Sequence, residues 1–191
     1  AGCRPAAAVT AGTFADAASV VVGERARLLF WRDVLVHVTG ELDGTPLGKR
    51  DLPLARLLHP AIVGDRVAAA VRTDPLDGGA PTWGLGLSSA SSTQFVPRVV
   101  QPGTLVPHLV AASDRFVACG LDEAGELQVV ELSPEDLSRL GPPRPVPRVS
   151  KASIESCRLA LGPDGTVAVA WQEPVGTAGD VFRVFATLLP P

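Results

Sequence analysis

The apolar residues of this chain fall in short runs rather than long periodic stretches. Ser19 to Val22, Pro60 to Val63, Leu109 to Ala112 and Leu159 to Gly162 each lead into a tight turn. The turns are Gly23-Glu24-Arg25, Gly64-Asp65-Arg66, Ser113-Asp114-Arg115 and Pro163-Asp164-Gly165, so each carries one acidic residue. Behind them stand Arg27 to Trp31, Ala68 to Val71, Val117 to Cys119 and Val167 to Trp171. Short apolar runs joined by a turn of this kind read as β-hairpins. A helix needs ten or more residues, and these runs are bounded by Gly, Pro and Asp. Apolar residues occupy successive rather than alternate positions, the mark of strands covered on both faces. The sequence predicts one helical turn, Ser133-Pro134-Glu135-Asp136-Leu137, with Ser as N-cap and Pro at the first position.

The hairpins repeat. Counted from the acidic residue of each turn, the steps are 41, 49 and 50 residues, the period of propeller blades. Trp31 and Trp171 both lie seven residues past their acidic markers. Third strands are predicted at Val34 to Glu41, Trp83 to Leu87, Leu127 to Leu132 and Val181 to Leu188. Fourth strands are fainter: Gln94 to Val100 is one, and Pro142 to Val149 is Pro-rich enough to be an edge strand or a connector. The expected fold is therefore all-β and propeller-like, with about four blades of three to four antiparallel strands. The repeats fall near 16–56, 57–104, 105–153 and 154–191. They follow an N-terminal segment, 1–15, in which Ala6 to Phe14 is a candidate closing strand for the last blade. A β-sandwich is the competing fold.

Gly162-Pro163-Asp164-Gly165-Thr166-Val167-Ala168-Val169-Ala170-Trp171 resembles the inner hairpin of sialidase-like and related secreted bacterial propeller repeats. Glu41-Leu42-Asp43-Gly44-Thr45-Pro46-Leu47-Gly48 resembles the turn before an outer strand of such repeats. The resemblance covers most of the chain as a pattern and implies architecture. The sialidase Asp-box, S-x-D-x-G-x-T-W, is absent, and there is no Tyr to serve as that family's nucleophile. Glycosidase activity is therefore not implied.

Composition narrows the function classes. The net charge is −3, with no block of either sign, so the basic stripe of a nucleic-acid binder is missing. No apolar run reaches the roughly 18 residues of a membrane-spanning helix. The chain has no Asn and therefore no N-glycosylation acceptor, and 15 of its 17 basic residues are Arg, which points to a GC-rich genome. Cys3, Cys119 and Cys157 match no zinc-ligand spacing. Cys119 lies in an apolar run and reads as a small buried hydrophobe, so a Cys3–Cys157 bridge is expected. Ala1-Gly2-Cys3 resembles the end of a bacterial lipobox, which makes Cys3 a lipidation candidate. Lipobox cleavage removes the residues before the Cys, whereas Ala1 and Gly2 precede it here. A secreted chain with Cys3 free or in a disulfide fits equally well.

Candidate chemistry is sparse. His59, His108 and Arg158 each lie six residues before an acidic marker. If the first strand of every blade lines the central channel, the three side chains form a ligand site at its mouth. An Arg opposes metal binding and no carboxylate joins the set, so no metal is expected there. His37 reads as a surface position of a third strand. There is no G-x-S-x-G elbow. Ser88-Ser89-Ala90-Ser91-Ser92 reads as a low-complexity loop, and Asp77-Gly78-Gly79 as a turn. Arg25, Arg66 and Arg115, one after each of three markers, read as a solvated rim. Neither catalytic residues nor a cofactor are expected. The main expectation is a non-catalytic extracytoplasmic interaction module of a bacterial cell, an accessory subunit whose partners are other proteins of an envelope or surface assembly. A sialidase-like glycan-binding or glycoside-acting domain is the first alternative. A fragment completing a larger propeller is the second.

Overall fold

A computed structural model describes the backbone at residues 17–22, 25–31, 35–41, 46–52, 57–73, 82–89, 96–101, 105–148, 150–175 and 181–191. Side chains are described at 59–71, 82–87, 105–148, 150–175 and 181–191. All regular elements among them are strands, arranged in four antiparallel sheets. Blade 1 holds β1 (Ala17–Val22), β2 (Arg25–Trp31), β3 (Leu35–Glu41) and β4 (Pro46–Leu52). Blade 2 holds β5 (Leu57–Val63), β6 (Arg66–Thr73), β7 (Thr82–Ser89) and β8 (Val96–Gln101). Blade 3 holds β9 (His108–Ala111), β10 (Phe116–Leu121), β11 (Leu127–Leu132) and the two-residue β12 (Arg144–Pro145). Blade 4 has three strands, β13 (Ser156–Leu161), β14 (Val167–Pro174) and β15 (Phe182–Leu189). Each sheet is a meander in chain order. The first strand of each blade packs beside that of the next: β1 against β5, β5 against β9, and β9 against β13. The chain is all-β and propeller-like, built of four blades that stack face to face.

Two cores result from the stacking. Ala61, Ala68, Ala70, Leu85 and Leu87 of blade 2 pack on Leu109, Phe116, Ala118, Val130 and Leu132 of blade 3. The other face of blade 3 presents Val117, Cys119, Leu127 and Val129 to Cys157, Leu159, Val167, Val169, Trp171 and Leu189 of blade 4. Ile62, Val67, Ala69 and Val71, on the remaining face of blade 2, are buried as well, where β5 meets β1 and β2. Successive apolar residues in β6, β10 and β11 thus have a neighbouring blade on either side. Blade 4 differs: β14 alternates between buried and half-buried positions.

The interior cross-link also differs from expectation. Cys119 is joined to Cys157, not Cys3 to Cys157. Burial of Cys119 does not keep it from pairing: both partners are fully buried, since the bond lies inside the blade 3–blade 4 core. Cys3, its lipidation, the closing strand Ala6 to Phe14, the turn at Gly23 and Glu24, and Asp77 to Gly79 lie outside the described residues. His37 falls in β3, but its side chain is outside them.

A charged cluster holds the connector between blades 3 and 4. Glu173, 3% exposed, accepts hydrogen bonds at Oε1 from Trp171 Nε1 (2.9 Å), Arg148 Nη2 (3.0 Å) and Arg148 Nε (3.2 Å). Arg148 also donates to the carbonyl of Ala152, so the guanidinium ties Ala152 to Glu173 of β14. Burial pushes the Glu173 carboxyl up, but the bonds from Trp171, Ser150 and Arg148 and the Arg148 charge outweigh it and hold the group below its ordinary range. Trp171 stacks on Phe185 with centroids 5.5 Å apart. The segment Ser133 to Leu137 makes the single turn expected of it: Leu137 N–H reaches Ser133 O, Ser133 Oγ accepts from Glu135 N–H, and Leu137 then takes a positive φ of 60°.

Candidate functional site

The turns that join first to second strands in blades 2, 3 and 4 share one end of the structure. Between them lies a cleft of about 810 Å³ lined by Ile62, by Ala111 to Ser113 with Arg115, and by Leu161 to Gly165. That volume is within the range of small-ligand sites. Its acidic wall is built by local backbone demands. Asp164 Oδ1 accepts from Thr166 N–H at 3.0 Å, and Asp164 Oδ2 accepts from Thr166 Oγ1–H at 2.9 Å. Gly165 follows with φ +86°, and a Cβ on Gly162 would come within 2.7 Å of Asp164 Oδ1. The two glycines therefore allow the carboxylate to fold over its own turn. The Thr166 N–H, then the Thr166 hydroxyl, hold the Asp164 carboxyl below its ordinary range, so it is ionised at neutral pH.

Across the cleft, Arg115 Nη1 donates to Asp114 Oδ1 at 2.9 Å, and Arg115 Nε lies 3.1 Å from Glu131 Oε2. That second approach is an ion pair without hydrogen-bond alignment. In blade 2, Arg66 bonds Glu135 at 2.8 Å. The basic residue after each of these two markers is thus paired rather than simply solvated. Being largely exposed, the pairs add little to stability.

His59, His108 and Arg158 behave differently from a converging set. His59 and His108 are brought together, with ring centroids 4.7 Å apart. His59 has φ +52° where the β5–β6 register shifts between Leu58 and Ala61. The bulge re-aims the ring. His108 Nδ1 accepts from Leu159 N–H at 3.1 Å, which requires a neutral ring with its proton on Nε2 and commits the Nδ1 lone pair. Arg158 does not join them. Its neighbours Cys157 and Leu159 are buried against blade 3, while Arg158 is exposed on the other face and donates to the Cys157 carbonyl. The physical reason is direction: each of these positions reaches toward the following blade, His59 to His108 and His108 to Leu159, rather than toward a common axis. Among the described residues, no group of three or more His, Cys, Asp or Glu is arranged to hold a metal ion.

Sequence reasoning treated Asp164 only as a turn marker and Arg115 as part of a solvated rim. The recurrence of an acidic turn at one end of three blades was the available signal, since that end is where the cleft forms.

No family model matches the chain, and no curated protein matches it. Among solved structures, it is similar to a GH43B protein of a Bacteroides ovatus xyloglucan PUL (12% identity, 94% of this chain and 39% of that one, TM-score 0.53). It is also similar to the β-propeller domain of the Trilobed protease from Pyrococcus furiosus (10% identity, 92% and 53%, TM-score 0.53). A third likeness is to a thermostable family-43 glycoside hydrolase (11% identity, 92% and 68%, TM-score 0.52). The chain spans 39% and 53% of the length of the first two. At such identities the likeness establishes the β-propeller fold, and the sialidase-like character remains a resemblance of hairpin sequence. One expectation is overturned: glycoside hydrolases recur among the matched propellers. The absence of a serine elbow, an Asp-box or a Tyr nucleophile is therefore no ground for reading the chain as a non-enzyme.

Proposed function

We propose that the chain is a glycan-acting part of an extracytoplasmic propeller, taking carbohydrate into the cleft between the turns of blades 2, 3 and 4. The observation that carries this reading is the cleft itself, about 810 Å³, with ionised Asp164 on one wall and Arg115 on the other. Sugar hydroxyls donate to a carboxylate and accept from a guanidinium. Ala111, Ala112 and Pro163 offer a smooth apolar surface to the C–H face of a pyranose or furanose ring. Glycoside hydrolysis needs two carboxyl groups, one protonated and one ionised. Asp164 is the one carboxylate among the residues that line the cleft, so carbohydrate binding is the part of the reading that the cleft supports. The matched structures include a GH43B protein of a xyloglucan PUL and an α-L-arabinofuranosidase, so arabinose- and xylose-containing oligosaccharides are the first substrates to try. The Cys119–Cys157 bond supports an oxidising compartment outside the cytoplasm.

The test is calorimetric titration with arabino- and xylo-oligosaccharides, beside a reducing-sugar assay. Binding that Asp164→Ala weakens about tenfold or more, the equivalent of about 1.4 kcal/mol, supports the reading. Absence of binding to the whole panel at millimolar sugar, or binding indifferent to D164A and R115A, refutes it.

A further inference from the structure

The first strands of blades 2, 3 and 4 lie side by side without sharing a sheet, so side chains rather than a backbone ladder connect them. Two polar contacts do this in succession. The His59 ring of β5 meets the His108 ring of β9 at 4.7 Å, and His108 Nδ1 accepts from the Leu159 N–H of β13 at 3.1 Å. The backbone is distorted for the first of them: His59 sits at φ +52°, in a region that favours glycine, at the bulge of β5. A residue held in such a conformation by its surroundings points to function.

The same strands lead into the cleft. Ile62 stands three residues beyond His59, Ala111 three beyond His108, and Leu161 two beyond Leu159, and all three line the cavity. At about 3.3 Å per residue, the histidines lie roughly 10 Å beneath it. His108 also pairs with Cys119 across β9 and β10, so the disulfide to blade 4 starts from the neighbouring strand.

We propose that His59 and His108 form a pH-sensitive switch beneath the cleft. Neutral rings hold the first strands of blades 2, 3 and 4 together; protonation lets them part and changes the width of the cavity. The proposal rests on the glycan reading for what is regulated, the binding of carbohydrate above. Histidine changes charge between about pH 5 and 8. A protonated His108 carries a hydrogen on Nδ1, which then faces the Leu159 N–H donor to donor, and the bond is lost. A proton on His59 adds a like charge at ring-contact distance. The strands packed most closely against β5 and β9 are β1, β2, β6, β10 and β13, and none of them carries a carboxylate. Their charged residues are all Arg. Arg66 is bonded to Glu135, Arg158 is exposed on the far face of β13, and the side chains of Arg25, Arg27 and Arg72 lie outside the described residues. The turn acids Asp65, Asp114 and Asp164 stand at the cleft end, six residues beyond His59, His108 and Arg158. The folded chain keeps the Leu159 bond only with a neutral ring, and the unfolded chain makes no such demand. The contribution is therefore full above the histidine range and is lost as pH falls through it. The Cys119–Cys157 bond keeps blade 4 attached while the link is open.

The test is an NMR titration of the 191-residue chain from about pH 8 to pH 5. It follows the His108 ring nitrogens, the protection of the Leu159 amide against exchange, and the amide signals of Ala112, Gly162 and Gly165 at the cleft. His108→Asn is the companion variant, because Asn keeps an acceptor for Leu159 and takes up no proton. The expected result is a ring protonated on Nε2 alone at high pH. Leu159 protection, corrected for the intrinsic rate, then falls about tenfold as the ring takes up its second proton, and the cleft amides shift with the same midpoint. In H108N the protection stays constant. A His108 that remains neutral throughout, a Leu159 amide that loses protection equally in wild type and H108N, or cleft amides that ignore the titration overturns the proposal. If circular dichroism shows H108N unfolded, the wild-type titration decides alone, since the His108 and Leu159 midpoints either coincide or do not. None of these readouts uses carbohydrate, so failure to bind sugar refutes the glycan reading and leaves the switch to be judged by its own titration.

Discussion

Blade 3 and blade 4 share a core and a disulfide, yet blade 3 is enclosed on both faces and blade 4 on one. The contrast is legible strand by strand. In β10 five successive residues are buried, whereas β14 buries only every second one. The residues of β14 that face away from the core are Ala168, Ala170, Gln172 and Pro174, three of them apolar. Period in the burial pattern follows from what lies alongside a strand, while residue type follows from what the strand is built to meet.

The sharpest way to break this comparison is to truncate one large side chain in each blade. Phe116→Ala removes a fully buried ring from blade 3 and is expected to cost about 3–5 kcal/mol. Phe182→Ala in blade 4, 42% exposed, should cost less than about 1 kcal/mol. Urea unfolding of the two variants decides it, and equal losses would abolish the distinction. Next comes the covalent link. Cys119 and Cys157 lie 38 residues apart, so opening the bond by Cys119→Ser/Cys157→Ser should lose about 4 kcal/mol by the loop-closure relation. If blade 4 depends on blade 3 alone for cover, the loss should appear as earlier exposure of β13–β15 amides in hydrogen exchange, with blades 2 and 3 changing less.

A smaller effect concerns the charged cluster at the same junction. Glu173→Gln retains an acceptor for Trp171 but leaves Arg148, itself buried, without its counter-charge. The expected loss is about 2–3 kcal/mol at pH 7. Because the folded carboxyl lies below its ordinary value of 4.5, its contribution is full above that value. It fades as pH falls through the folded value. Unfolding curves of wild type and E173Q should therefore converge as the pH falls from 4.5 through the lowered folded value, and a gap that persists in acid would assign the loss to packing instead. The smallest effect is at the cleft. Gly165→Ala, at φ +86°, should cost about 1 kcal/mol, while Gly162→Ala should reduce oligosaccharide binding more than stability, because its Cβ meets the Asp164 carboxylate.

Local turn chemistry and apolar runs made the hairpins readable from the chain. The third strand Leu127–Leu132 lies where it was expected, and Phe182–Leu189 is displaced by one residue. Outer strands were fainter because they carry little core: Pro-rich Pro142 to Val149 yields only the two-residue β12. Site geometry was harder. The offset shared by His59, His108 and Arg158 identified equivalent positions, but equivalence around a stack of blades means reaching for the next blade, not converging on a centre. The cysteine pairing failed for a similar reason. Residues that are remote in the chain, on β10 and β13, become neighbours only once blades stack, and no spacing rule encodes that stacking. The cleft was invisible as a volume, although Gly162 to Gly165 on its acidic wall belong to the Gly-Pro-Asp-Gly-Thr turn already picked out as a hairpin.

The bond between Cys119 and Cys157 has a consequence in time as well as in space. A polypeptide is delivered N-terminus first, and Cys119 belongs to a strand whose hairpin partners, β9 and β11, emerge close beside it. Cys157 arrives later, on the first strand of blade 4. Oxidation of the pair can therefore act as a latch on assembly order, trapping blade 4 once it has docked on blade 3.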